Sequence, residues 1–464
     1  MGEETVRRPS LSRQLLPAVH GMLARPLSSY YLLVSSSGLL LVIGLTMVFS
    51  ATSVEAFANH GNAFATISNQ AAYALLGLIG FWVCQRLPAR TLRALGKYIL
   101  GGALGLLALL DLLRGLTSIH ALSSAKIGPI HASLLWLYVG PIALQPSELA
   151  KLGVVLWGAD VIARKGPALA HWRELAMPMF PMVGLLFVLV GYNDLGTMLV
   201  ILALIVGLLW AAGIRLRFFG ALGVLGLAGV GLLIAAASRG AGSGEVGAQN
   251  YRLARLTSFL APPVNCNTGG CYQLLQARSA IYEGGWFGVG LGKSALKWDW
   301  LPNSSNDFIF AVVAEELGVI GCSVVLALFS VIAYTGLRIA RRVEDPFRRL
   351  AAAGITTWLI AQAVINIGGV VGLLPITGLP LPFISVGGSA LVVTMSAVGM
   401  LASFARAEPD AAEALNARPP SRWVRLVWAP LPPLPPPRQP GPPRPGTTKP
   451  ASRASTNAGG ERRR

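Results

Sequence analysis

Charge is scarce in this sequence. Asp, Glu, Lys and Arg supply 12% of its 464 residues, while 53% are hydrophobic. A water-soluble domain carries about 25% charged residues, so the composition excludes an ordinary globular fold in water. Cysteine is equally sparse, and four residues cannot build a disulfide scaffold. Acidic residues are few beside basic ones, 20 against 38, for a formal charge of +18. That surplus does not mark a nucleic-acid binder, because of where it lies. Much of it falls in a Pro/Arg-rich stretch from Arg418 to Arg464, and most of the rest in short loops between apolar segments. This is how a cytoplasmic face looks under the positive-inside rule. The N-terminus is polar and basic and the first apolar run is too long for an h-region, so no cleavable signal peptide is expected.

What abounds is apolar sequence in blocks of roughly 18 to 25 residues, long enough to cross a ~30 Å hydrocarbon core. An all-α polytopic fold of about ten spans is expected, at 31–52, 67–86, 98–114, 134–163, 176–192, 195–213, 218–237, 308–337, 351–372 and 385–405. Basic clusters alternate with these spans. Arg86, Arg90, Arg93 and Lys97 separate the second from the third, and Arg338, Arg341, Arg342, Arg348 and Arg349 follow the eighth. The loops at 53–66 and 373–384 contain no Lys or Arg. Both termini are therefore expected in the cytoplasm. Residues 1–28 form a basic N-terminal segment, 29–406 the membrane domain, and 407–464 a Pro/Arg-rich disordered tail.

Residues 238–306 break the pattern of short connections and are expected outside, between the seventh and eighth spans. Long loops in compact proteins are usually functional or disordered. Tyr251, Tyr272, Tyr282, Trp286, Trp298 and Trp300 favour function here. Tyr251 to Leu260 and Tyr272 to Tyr282 have the periodicity of short helices lying on the bilayer surface. Cys266 and Cys271 share this loop, and a local disulfide is expected in an oxidising compartment. Cys84 and Cys322 lie in apolar segments and read as packing residues.

Ionisable groups near membrane spans are expensive and usually paired or functional, which singles out four motifs. In Gln145-Pro146-Ser147-Glu148-Leu149-Ala150-Lys151, Glu148 and Lys151 share a helix face. They either neutralise one another, or Lys151 binds a phosphate or pairs with an acid from another span. In Asn193-Asp194-Leu195-Gly196-Thr197, Asp194 is placed to cap the sixth span and support the structure. In Leu301-Pro302-Asn303-Ser304-Ser305-Asn306-Asp307-Phe308, Asp307 stands at the outer mouth of the eighth span, as a general base in a partly desolvated site or as a helix cap. Glu315 and Glu316 follow as supporting residues. The fourth motif, Gly372 to Ser389, carries Pro375, Pro380 and Pro382 between two spans. Non-helical backbone at membrane depth is tolerated against protein or a cavity, so this segment is expected to line one.

The order of these motifs, from Gly44-Leu45-Thr46-Met47-Val48-Phe49-Ser50-Ala51 to Arg406-Ala407-Glu408-Pro409, resembles the shape, elongation, division and sporulation family that contains FtsW, RodA and SpoVE. Lys297-Trp298-Asp299-Trp300-Leu301-Pro302-Asn303 with Asn306-Asp307 looks most like the division-type FtsW of actinobacteria. His131-Ala132-Ser133-Leu134-Leu135-Trp136 departs from an Arg-rich segment common in the family. Asn303-Ser304-Ser305-Asn306 departs from its commoner Glu-Ala-His-Thr.

The resemblance implies a glycosyltransferase that polymerises lipid II outside the cytoplasmic membrane, with Asp307 catalytic and Lys151 important. A pyrophosphate leaving group calls for cations or a divalent metal such as Mg or Mn, and no organic cofactor. Lys151, Arg252, Arg255, Lys293 and Lys297 are the candidates, the loop cations alternatively serving anionic lipid headgroups. Glu148, Ser385, Gly387, Gly388 and Ser389 are placed with them on the substrate side. The implied partners are lipid II, the growing strand, a class B penicillin-binding protein and other division or elongation proteins, at the septum. The competing classes are a lipid II flippase and a non-catalytic division scaffold. No convincing internal repeat of the kind found in many transporters supports the flippase.

Overall fold

A computed structural model of the chain describes residues 25–118, most of 126–166, 172–191, 194–214, 270–295 and 300–434, with isolated positions between. In chain order the helices are α1 (Ser28–His60), α2 (Ala65–Arg86), α3 (Ala89–Ser118), α4 (Pro146–Lys165), α5 (Trp172–Gly191), α6 (Leu195–Ala211) and α7 (Gly270–Gly284). They continue with α8 (Ile309–Arg342), α9 (Pro346–Val371), α10 (Ser389–Arg406), α11 (Pro409–Ala417) and α12 (Arg422–Val427). Among the described residues, six helices (α1, α2, α3, α8, α9 and α10) are long and apolar enough to cross a membrane. Apolar stretches of α5 and α6, Met179–Gly191 and Leu195–Ala211, are shorter. The expected seventh span, at 218–237, lies almost wholly outside the described residues.

The fourth span does not begin at 134, and the fold is not purely helical. Residues 126–144 form an antiparallel meander of β1 (Lys126–Ile127), β2 (Ile130–Ser133), β3 (Trp136–Val139) and β4 (Ile142–Leu144), paired in sequence order. His131 stands opposite Tyr138 in β2 and β3. The apolar run Trp136-Leu137-Tyr138-Val139 has the aromatic and β-branched character of a strand. The helix starts only at Pro146, whose fixed φ and missing N–H suit the first helical position. Glu148 in the first turn of α4 and Arg164 and Lys165 in its last complement the helix dipole.

The bundle is densest around α9 and α10. α10 packs along α2, α4 pairs with α3, and α8 runs against both α1 and α9. α9 begins where Asp345 accepts a hydrogen bond from Phe347 N at 2.9 Å, with Pro346 at its first position. It ends at Gly372 with φ 82°, the left-handed residue that commonly closes helices. α8 is interrupted at Gly318 (φ 66°, ψ −165°), a conformation open to glycine and few other residues.

α7 was expected to lie on the bilayer surface. It packs against α8, with Ala277 and Ala280 fully buried and Tyr282 exposed. Residues 409–434, assigned by composition to a disordered tail, form α11, α12 and a docked turn. Trp428 Nε1 donates to Tyr30 Oη at 2.6 Å, and Gln85 Nε2 donates to the Trp428 carbonyl at 2.8 Å. The Arg406 guanidinium stacks 4.6 Å from the Trp428 ring. A single large aromatic residue thus anchors a proline-rich stretch whose composition alone argued against order.

Candidate active site

The site is assembled by α9. On one of its faces, Trp358, Gln362 and Asn366 follow at intervals of four residues, which places them on successive turns about 6 Å apart along the axis. Gln362 Oε1 accepts from Trp358 Nε1 at 2.9 Å and from Lys151 Nζ at 2.7 Å. Its Nε2 donates to the Pro380 carbonyl at 2.9 Å. One turn further on, Asn366 Nδ2 donates to the Leu379 carbonyl at 2.7 Å and to the Asp307 carbonyl at 2.8 Å. Two amides in an otherwise apolar span therefore hold α4, the 372–389 segment and the Asp307 turn in one arrangement.

Lys151 and Glu148 form an ion pair at 2.7 Å, with side chains 0% and 1% exposed. Mutual neutralisation is therefore realised, and Trp358 adds its ring face 5.3 Å from the ammonium. Asp194, at the start of α6, lies within electrostatic reach of both. Enclosed in this way, Lys151 presents no surface to a phosphate. Asp194 is the N-cap of α6, accepting from Thr197 N at 2.9 Å and Thr197 Oγ1 at 2.5 Å. Next to it, Gly196 lets the other segment approach: a Cβ there would stand 2.8 Å from both Thr377 Cβ and Leu379 Cγ.

Asp307 is buried, 7% exposed, immediately before α8. The cap position of that helix falls on Phe308. Two irregular segments meet here. Ser385 Oγ donates to the Asn306 carbonyl at 2.7 Å and accepts from Leu381 N at 2.7 Å, and Val386 N donates to the Ser305 carbonyl at 3.0 Å. Each segment contains a non-glycine residue in the left-handed region, Asn303 at φ 60° and Phe383 at φ 67°. Such conformations cost about 1–3 kcal/mol and persist where surrounding contacts over-determine them, often at functional sites. At Phe383 the contact is with α1: a Cβ on Gly44 would collide with the Phe383 carbonyl. A crevice of about 10 Å³ beside Asp307, Asn366, Ile376 and Thr377 has room for about one water molecule. Asn366 Oδ1 is buried there without a hydrogen-bond partner among the described residues.

The remaining candidates divide. Ser389 Oγ accepts from Gln145 N at 3.0 Å, tying α10 to the start of α4. Gly388 (φ 38°) precedes α10 against the Tyr73 ring, with Gly387 beside it, and Pro375 passes over Gly369 of α9. Glu315 and Glu316 turn toward the 285–295 loop. Glu315 accepts from Ser294 Oγ and from Ala295 N at 2.7 Å, and Glu316 accepts from Ser50 Oγ at 2.7 Å. Lys293 is exposed on that loop. Arg252, Arg255, Lys297 and Cys266 lie outside the described residues, as does the Cys271 side chain. Among the described residues, no three His, Cys, Asp or Glu side chains gather to hold a metal ion. Trp358, Gln362 and Asn366 were not singled out in the sequence, although two amides four residues apart in a hydrophobic span are a usable signal.

Comparison with known proteins finds relatives over most of the chain. A family model described as "Cell cycle protein", for FtsW, RodA and SpoVE, matches residues 31–409. The probable peptidoglycan glycosyltransferase FtsW of Mycobacterium tuberculosis is 39% identical over 411 residues, covering 88% of this chain and 74% of that protein. Stage V sporulation protein E of Bacillus subtilis is 35% identical over 387 residues, covering 83% and 99%. A structure described under the heading of polymerization and crosslinking by a peptidoglycan synthase complex aligns with a TM-score of 0.58 at 25% identity, covering 83% of this chain and 98% of its own. Thermus thermophilus RodA aligns with a TM-score of 0.53 at 25% identity, covering 81% and 96%. With a family model matched over nearly the whole membrane domain and six helices long and apolar enough to cross a membrane among the described residues, this multi-pass membrane protein belongs to the FtsW, RodA and SpoVE family.

Proposed function

We propose that the chain is a peptidoglycan glycosyltransferase that joins lipid II into glycan strands at the outer face of the cytoplasmic membrane, for septal synthesis. The names of its relatives support the reaction class. The observation that carries the site is the seating of Asp307 between Asn366 and the Ser385 turn, beside a crevice that the Asn366 and Thr377 side chains also line. Asp307 takes the proton from the acceptor's sugar hydroxyl. The freed oxygen bonds to the anomeric carbon of the growing strand, the anomeric C–O bond breaks, and undecaprenyl pyrophosphate departs with the bonding electrons. Asn366 is a positioning residue: its Nδ2 fixes the backbone of Asp307.

Lys151 serves by holding Gln362, and through it the Pro380 turn. The charge of the leaving group falls to loop cations, with Lys293 the described one. The topology is ten spans with both termini cytoplasmic, as the alternation of basic loops supports. A class B penicillin-binding protein supplies crosslinking, in keeping with the synthase complex that the fold resembles. Reconstituted protein supplied with lipid II tests the reaction. Glycan strands with released undecaprenyl pyrophosphate are expected; lipid II crossing the bilayer without polymer would overturn the proposal in favour of a flippase.

A further inference from the structure

At the end of α2 opposite the Asp307 site, the docked C-terminal segment builds a second cavity. It is open, about 620 Å³, and lined by Arg86, Arg422, Arg425, Pro430 and Leu431. Three guanidinium-bearing residues and no carboxylate make up its charged lining. Like charges repel when gathered in this way, yet the fold holds them together. Arg86 Nη2 donates to the Arg425 carbonyl at 3.0 Å, so one cation fixes the backbone that carries the next. The buried Nε of Arg425 has no hydrogen-bond acceptor among the described residues. Among the described residues that line the cavity the charged side chains are all cationic, a chemistry that suits an anion.

The surroundings select which anion. Arg86 is the last residue of α2, a membrane span, and its guanidinium stacks 4.4 Å from the Trp82 ring one turn inside. Trp82 is exposed, and Trp423 of α12 is 79% exposed beside the cavity. Tryptophan at span ends belongs at headgroup level, and basic pockets between spans on the cytoplasmic side suit phospholipid head groups. Pro430 and Leu431 supply apolar surface for the glycerol and upper acyl region. We propose that Arg86, Arg422 and Arg425 bind the phosphate of an anionic phospholipid of the cytoplasmic leaflet, and that this lipid fastens the C-terminal segment to the bundle. The leaflet assignment rests on the topology proposed above; the binding itself does not.

The test uses the purified full chain, stripped of lipid in neutral detergent and examined by native mass spectrometry. Phosphatidylglycerol is expected to remain bound where phosphatidylcholine at equal concentration does not. Arg422→Gln with Arg425→Gln, melting as wild type does, is expected to weaken that binding roughly thirtyfold, at about tenfold per 1.4 kcal/mol. Arg422→Glu, at an exposed position, repeats the test without disturbing the Arg86 contact. Equal retention by wild type and these variants would overturn the site. Inorganic phosphate bound as tightly as phosphatidylglycerol would reassign it to a free anion, and an oligoglutamate peptide bound more tightly would reassign it to a protein. A cysteine at position 423 (Trp423→Cys) that impermeant reagents reach only from outside the cell would overturn the leaflet assignment alone.

Discussion

Replacing Lys151 with Met separates two roles for this lysine. The change removes a hydrogen bond between α4 and α9 and takes away the charge partner of Glu148. In a soluble core, stranding a buried carboxylate costs about 3–5 kcal/mol. Here the partners sit three residues apart on one helix and stay adjacent when helices separate within the membrane, so most of that cost appears in both states. The stability loss then comes mainly from the interhelical bond, for which about 0.6–2 kcal/mol is the measured range. The effect on rate is larger, because Gln362 loses the ammonium that helps orient it toward the Pro380 carbonyl. Thermal unfolding in detergent and lipid II polymerisation, measured side by side, are expected to show a melting temperature only modestly lowered and a rate reduced tenfold or more. Gln362→Leu is expected to match that rate loss, and Glu148→Gln, which leaves the Lys151–Gln362 bond in place, to lose much less. Full activity in Gln362→Leu beside an inactive Lys151→Met would refute the reasoning and give Lys151 a direct contact with substrate.

Asn366→Leu withdraws the donor from two buried carbonyls, those of Asp307 and Leu379, each left unsatisfied at about 1–3 kcal/mol; polymerisation kinetics are expected to show a fall in kcat with little change in KM. Gly44→Val puts side-chain atoms where the Phe383 carbonyl lies, an overpacking that costs about 1–3 kcal/mol, and is expected to lower the melting temperature by more than Gly38→Val, which has open space. Glu316→Leu frees Ser50 and the 285–295 loop, so limited proteolysis is expected to cut that loop sooner than in wild type.

Spans and caps that depend on neighbours in the chain were legible in the sequence. Asp194 caps α6 through a residue three positions on, and the start at Leu195 follows from that pairing. The kind of structure before Pro146 was not legible, because Leu134 to Leu144 is apolar enough for a span; its backbone partners, in adjacent hairpins, decided for strands. Asp307 and Ser385 were both visible as motifs. That their segments meet was not, since the bond joining them runs from the Ser385 side chain to the Asn306 carbonyl, 79 residues away. Gln362 and Asn366 escaped for the same reason: an amide in a span announces a partner without naming it. Trp428 shows the opposite failure. The composition around it spoke for disorder, and one aromatic residue with a ring partner and two hydrogen bonds overrode it.

The central claim rests on Asp307, and Asp307→Asn tests it most directly because the change keeps size and backbone contacts while removing the base. Lipid II is supplied to the purified wild type and to the variant, each with its penicillin-binding partner, and strand formation is followed on gels. Strands from wild type, with none from a variant that melts normally and still binds the partner, are the expected result. Strands of equal length and yield from both would contradict a catalytic role for Asp307.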